Sequence, residues 1–273
     1  MRIVEIKQQA YSRNTHNRAC PHWWFGGWDW LVNSTLKLAG STNIRTRPGE
    51  IAFDPHVHTL YSHCSISTPA KLIKKAVRVG LGAIAVMDHG TIEGALDTMR
   101  CAEYLKSRGE IPEDFLVVPG VEVNTTHGHV GALFVQQDLA ARPTPAELID
   151  EIHELGGLAV VVHPYHSTGI GDVLFELDLD AVEVECGSVF SSDIALSNRG
   201  LLADENLSNV AKLGSSDAHY VAAVGSCYTI VRGIGEPTLE SLKQAMIAGN
   251  CEPVSSLSYR NVANFLGKIG KLR

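Results

Sequence analysis

Ile51-Ala52-Phe53-Asp54-Pro55-His56-Val57-His58-Thr59-Leu60-Tyr61-Ser62-His63-Cys64 is the stretch on which the reading of this chain turns. The apolar run Ile51–Phe53 reads as a short strand, and three histidines follow it. His56 and His58 are two apart, and in an extended segment such residues project from one face. A single metal ion can therefore take both imidazoles. His63 returns from the loop beyond, toward that ion or a neighbouring one. Imidazole suits the task because it is neutral near pH 7. Three surface histidines can cluster by chance. The argument against chance is that clusters of the same kind recur downstream.

Outward from this stretch the pattern alternates. Thr68-Pro69 opens a helix over 70–79 that Gly80 stops. A strand over 83–87 ends at Asp88-His89, and a helix over 93–107 stops before Gly109. Strands are predicted over 115–123, through Pro119-Gly120, and over 131–135. A helix over 145–155 closes at Gly156-Gly157. Apolar strands follow at 158–162 and 181–184, then a helix over 192–202 and strands at 211–214 and 226–231. A helix over 239–248 and a strand at 251–254 complete the series. Buried strands alternating with helices predict an α/β fold with a parallel sheet closed, or nearly closed, into a barrel.

The chain has 273 residues, 45% of them hydrophobic, which is enough for one barrel domain with a buried core. A net charge of -7 argues against a nonspecific nucleic-acid coat or an anionic membrane surface. The six cysteines are dispersed without a CxxC pair, as in a reduced, cytoplasmic protein. No apolar run spans a bilayer and no signal pattern opens the sequence, so no membrane partner is expected. Residues 1–50 read as an arm that holds all four tryptophans, within Cys20 to Trp30. Such an arm is costly to leave in water, so it is expected to pack on the barrel or on another subunit, the latter giving a homo-oligomer. Residues 51–255 form the barrel, and 256–273 have the apolar spacing of a packing helix.

Position carries the functional signal. His56, His58, Asp88, His89, Glu122, His163, Asp217 and His219 each fall at the C-terminal end of a predicted strand, where barrel active sites are built. His129 joins them if the segment after Glu122 folds back as a hairpin; His127 is the other candidate there. Seven histidines with Glu122 and Asp217 exceed the ligand set of one tetrahedral zinc and suffice for two or three ions. Glu183 and Glu185 share one face of their strand. They either point into the lumen, where they need cationic partners, or line a solvated edge.

His56-x-His58-Thr59, Asp88-His89, Pro119-Gly120-x-Glu122, His129, His163-Pro164 and Ser216-Asp217-x-His219 occur in order, and with them residues 51–230 resemble the PHP (polymerase and histidinol phosphatase) family of metal-dependent phosphoesterases. The resemblance implies a distorted (β/α)7 TIM-like barrel with two or three divalent ions, zinc, manganese or iron. It implies that His56, His58, Glu122 and Asp217 hold one ion, that His63, His89 and His219 hold a second, and that a bridging Glu122 with His129 and His163 holds a third. Many relatives carry Asp at the position of His63, and His there is similar to the histidinol-phosphatase branch. Several carry a basic, phosphate-contacting residue after the His-Pro pair, where this chain has Tyr165-His166. The interval from Glu122 to His163 is too short for the inserted domain of the nucleotide-cleaving branch.

The chemistry so implied is hydrolysis of a phosphoester, with clustered cations neutralising the phosphoryl oxygens and a bridging hydroxide attacking phosphorus. Glu122 and Asp217 are the catalytic carboxylates, Asp217 also moving a proton. Asp88 is expected to orient a ligand imidazole from outside the ligand shell. The expected substrate is a small phosphorylated molecule. A nuclease on the same ions is the less favoured alternative, since it needs a basic or aromatic track and only Lys71, Lys74, Lys75 and Arg78 form a basic helix face. A silent module with a regulatory or assembly role is a further alternative, against which the intact ligand set counts.

Overall fold

β1 (Glu50–Val57) runs past the apolar triplet and carries Pro55 and His56 within it. Its pairing with β2 (Ala83–His89) slips between Asp54 and Val57. Proline has no N–H to give to a ladder, so it is tolerated where the ladder breaks. The slip has a consequence for side-chain direction. Phe53 packs in the apolar cluster inside the sheet, whereas Val57 packs in the cluster shared with the helices. Strict alternation would give both residues one face. The irregularity reverses the parity and turns His56 and His58 inward.

A computed structural model describes residues 43–189 and 191–255 of the chain. The aromatic segment up to residue 42 and the expected C-terminal helix at 256–273 lie outside the described residues. Beyond β1 and β2 the strands are β3 (Leu116–Asn124), β4 (His129–Leu133), β5 (Leu158–Val161), β6 (Ala181–Cys186), β7 (Ala211–Ser215), β8 (Cys227–Arg232) and β9 (Cys251–Ser255). They form one sheet in the order β7-β6-β5-β4-β3-β2-β1-β8-β9. The ends approach one another. The Thr229 hydroxyl on β8 accepts from the Gly214 amide of β7 at 3.0 Å and donates to its carbonyl at 2.9 Å. Val57 also bridges in parallel to Ala218. The result is the nearly closed barrel that the sequence predicts.

It departs from an all-parallel (β/α)7 barrel in two places. β4 is antiparallel to both β3 and β5, and β8 is antiparallel to both β1 and β9. The four residues between β3 and β4 are too few for a parallel crossover and can only turn a hairpin.

The helices are α1 (Pro69–Val79), α2 (Glu93–Ser107), α3 (Pro145–Glu154), α4 (Ser192–Gly200) and α5 (Leu239–Ile247). Pro69 starts α1, and Gly80 ends it at a φ of 94°, a conformation that only glycine adopts freely. Thr144 and Glu147 form a reciprocal capping box at the start of α3. α1 buries Leu72, Ile73, Ala76 and Val79 against the outer face of the sheet, each large side chain contributing about 1.5–3 kcal/mol. α5 behaves differently: its Leu242, Ala245 and Met246 join the cluster inside the sheet, so it closes one end of the barrel. Among the described residues no helix is long and apolar enough to cross a membrane.

Candidate metal centre

The ligand-bearing ends of the strands meet at one mouth of the barrel, and Glu122 stands at the middle of them. It is fully buried on β3. Its Oε2 faces His56 Nε2 at 3.5 Å, His58 Nε2 at 3.4 Å and His89 Nδ1 at 3.0 Å. Its Oε1 faces His129 Nδ1 at 2.7 Å and His163 Nε2 at 3.1 Å. His129 arrives by the β3–β4 hairpin, in which Asn124 pairs with His129 and Glu122 with Gly131. His127 stays exposed at the turn.

Asp217 completes the other side. Its Oδ1 lies 3.0 Å from His58 Nε2 and 3.5 Å from His56 Nε2, and its Oδ2 accepts from the Ser188 hydroxyl. Backbone amides position this segment: Ser216 and Gly225 each donate to the buried Asp54 carboxylate at 2.9 Å. Asp217 and His163 both hold positive φ, 47° and 31°, a costly region for residues other than glycine.

Three sets of side chains bring ligand atoms within 4.8 Å of one another: His56, His58 and Asp217; His58, His89 and His219; and His89, Glu122 and His129. His163, just beyond β5, reaches Glu122 at 3.1 Å. His63 is exposed, with its ring centroid 5.7 Å from that of His89. Cys64 beside it is exposed as well; desolvation raises its thiol, but the imidazoles of His219 and His89 outweigh that and lower it to about 7.

The donor set fits cations. His56 Nε2 and His58 Nε2 stand 3.0 Å apart, with each Nδ1 engaged outside the centre, so a proton or a metal ion can sit between the two nitrogens. His89 Nδ1 and Glu122 Oε2 are buried without an aligned hydrogen bond. Charge tells the same story. Burial alone would raise the carboxyls of Glu122 and Asp217, yet the surrounding imidazoles, His56 foremost, hold both well below the usual range. Burial pulls His56 down, but Asp217, Glu183 and Glu122 outweigh it and raise it well above its ordinary value. Burial and the like charges of His219 and His56 push His58 down to about 3, so it stays a neutral donor.

An outer layer fixes which nitrogen faces the centre. Glu183 Oε1 takes His56 Nδ1 at 2.9 Å, and its Oε2 accepts the His163 amide at 2.9 Å. His56 is thereby held with Nε2 inward. Glu183 thus points into the lumen, while a slip in the β6–β7 pairing separates it from Glu185. Glu185 binds Arg199 of α4 in two places, at 2.5 and 2.8 Å. Asp88 acts on His58 through an intermediary: it takes the Ser62 hydroxyl, and Ser62 in turn meets His58 Nδ1 at 3.1 Å. Ser62, Ser188 and Glu183 make contacts here that the histidine pattern alone does not assign. Glu183 is signalled by the alternation of its strand, Ser62 only by standing beside His63, and Ser188 by nothing local.

The model for the PHP domain matches residues 54–186, and the model described as PHP-associated matches residues 206–251. The first span holds His56 to His163, and the second holds Asp217 and His219. An uncharacterized protein of Methanocaldococcus jannaschii is 35% identical over 143 residues, which are 48% of this chain and 79% of that one. A two-domain protein from Bacteroides vulgatus containing a predicted PHP-like metal-dependent phosphoesterase superposes with a TM-score of 0.60 at 18% identity, over 78% of this chain and 68% of that one. The lesion-specific endonuclease PfuEndoQ from Pyrococcus furiosus superposes with a TM-score of 0.52 at 17% identity, over 75% of this chain and 57% of that one. At such identities the likeness to solved structures is one of fold. With both segments matched and the archaeal relative covered over most of its length, this chain belongs to the PHP domain family.

Proposed function

We propose that the chain is a metal-dependent phosphoric ester hydrolase acting on a small phosphorylated molecule in the cytoplasm. The observation that carries this reading is the Glu122 carboxylate, buried with imidazoles on both of its oxygens. A carboxylate so placed can serve two ions at once. Bound zinc, manganese or iron would supply charge to neutralise phosphoryl oxygens and to lower the pKa of a water nucleophile.

The chain's own residues do the rest. His56, His58 and Asp217 would hold one ion and Glu122 would share it. His129 and His163 would hold another on the far oxygen of Glu122, and His89 and His219 line a third place between His58 and the loop. Glu183 and Ser62 keep the imidazoles of His56 and His58 turned the right way. Asp217, steadied by the Ser188 hydroxyl on one oxygen, is placed to bind with the other and to carry a proton from it. A nucleic-acid substrate has less support: α1, with its basic face, packs on the outer side of the sheet, and its Lys74 is paired with Glu110 at 2.7 Å.

The test combines elemental analysis with hydrolysis of 4-nitrophenyl phosphate and bis(4-nitrophenyl) phosphate after reconstitution with zinc, manganese or iron. Two or three ions per chain and release of nitrophenolate are expected, both lost in His58→Ala and Asp217→Ala with the fold intact by circular dichroism. Fewer than one ion per chain after reconstitution would overturn the reading.

A further inference from the structure

One turn holds three proposed ligands by their backbones. It runs from Thr59 to Ser67, directly after His58. Ser62 meets His58 Nδ1 and accepts the His89 amide, each at 3.1 Å. Ser65 and Ser67 reach across to the segment after β7. The Ser65 hydroxyl shares its proton between the His58 carbonyl at 3.0 Å and the His219 carbonyl at 2.9 Å. The Ser67 hydroxyl donates to the same His219 carbonyl at 3.2 Å, and the Ser67 amide donates to Ser65 Oγ at 3.2 Å.

A carbonyl has two lone pairs, and at His219 a buried hydroxyl meets each of them. The His219 ring is set as well, its Nδ1 lying 3.0 Å from the Asp217 carbonyl, which leaves Nε2 for an ion. His89 and His219 are half-buried, whereas His56, His58 and Asp217 are buried. Two half-buried imidazoles from different strand ends hold an ion well only if they are ordered beforehand, because ordering them on binding weakens it. The Thr59–Ser67 turn orders both, His89 through Ser62 and His219 through Ser65 and Ser67. It also begins at His58, which belongs to the neighbouring place.

We infer that Ser65 and Ser67 are positioning residues for His219, and that through the turn they close an ion bound at His58 readies the His89–His219 place for its own ion. Cations so close together repel one another, so independent places would fill one well after another. A turn ordered once for both places offsets that repulsion, and the outer ion follows the inner ones. The inference rests on the metal-site reading above and adds a link between its places.

Native mass spectrometry across a zinc titration of the full chain, first stripped by chelator, counts the ions on each molecule. The parent should pass to the fully loaded form with few chains one ion short. The paired change of Ser65→Ala with Ser67→Ala should make chains one ion short the main species at stoichiometric zinc, with the last ion weakened by ~10–100-fold. Ser67→Ala alone, at a residue that touches His219 but not His58, should shift the titration the same way by up to about tenfold, the worth of one such bond. Ile66→Ala, at the exposed residue between the two serines, should load like the parent. Carbethoxylation of His219, followed by peptide mass spectrometry, locates the missing ion: zinc should protect His219 in the parent and leave it reactive in the paired variant. A paired variant that loads like the parent, or that loses an ion while His219 stays protected, would overturn the inference and leave the metal centre standing. Failure of the parent to bind any ion would overturn both.

Discussion

The Ser62 hydroxyl lies 2.5 Å from Asp88 Oδ1 and spends its whole bonding capacity at the centre of the loop. A hydroxyl has one proton and two lone pairs. The proton goes to Asp88, one lone pair takes His58 Nδ1–H at 3.1 Å, and the other takes the His89 amide at 3.1 Å. One side chain thus sets the tautomer of His58 and holds the backbone of His89, both proposed ligands. Ser62→Ala should lower metal affinity by ~10–100-fold, the usual cost of losing such a partner. Chelator competition measures it, and unchanged affinity would mean that Ser62 does not orient His58.

Glu183 offers a sharper substitution. Both of its oxygens accept, one from His56 and one from the backbone amide of His163. Glu183→Gln preserves shape but replaces one acceptor with an amino group that must face an N–H. Loss of affinity by about tenfold or more is expected, with little change in the circular dichroism spectrum. If Glu183→Gln binds zinc like the parent chain, the lumen carboxylate plays no part in setting His56.

A glycine outside the ligand set should matter as well. Gly94 opens α2 directly over Asp88, and a Cβ there would run into the Asp88 carboxylate and stand 2.5 Å from the Thr59 hydroxyl. Gly94→Ala forces apart the group that anchors Ser62. We expect a loss of about 1–3 kcal/mol in stability, as for other overpacked sites, together with weaker metal binding. The mutation at Gly109, where nothing lies within 4 Å but φ is 65°, serves as a contrast: strain there should leave binding alone.

Protons and metal compete for the same nitrogens. In the ion-free chain burial pulls His89 and His219 down, but Cys64 with Glu122 lifts His89 to about 10, and Cys64 with Asp217 lifts His219 to about 9. Both folded values exceed the ordinary 6.5. Their contribution to the ion-free fold is therefore complete below that value and is lost as pH rises through about 9 to 10. Metal affinity runs the opposite way and rises with pH as these protons leave. Calorimetry of zinc binding at neutral pH in buffers of different ionisation enthalpy should show net proton release. Zero release would mean that the imidazoles are already neutral before the ion arrives.

Much of the barrel is legible from periodicity and punctuation. The α2 bounds follow from the apolar spacing and Gly109, and α1 follows from Pro69 and Gly80. Strand direction is less legible, because a buried strand reads the same both ways. At β4 the short link from β3 gives the direction away, but at β8 no local feature does. The inward turn of His56 depends on a slip in pairing that needs β2 as well as β1. The histidines and acids at the strand ends are legible as a group because they repeat. Ser62 and Ser188 are not, since each gains meaning from partners 26 and 29 residues away, whereas Glu183 is legible as one of two alternatives from its strand alternation.

The backbone at His163 and Asp217 carries a consequence for how such a chain can change. Each residue sits at a positive φ that costs of order 1–3 kcal/mol and that glycine would adopt without strain. Replacing either by glycine would relax the chain and remove a proposed ligand in the same step. At these two positions stability and metal binding pull against each other, so a chain selected for stability alone would have no reason to keep them. On the proposed metal-site reading, binding at the centre is what offsets that cost.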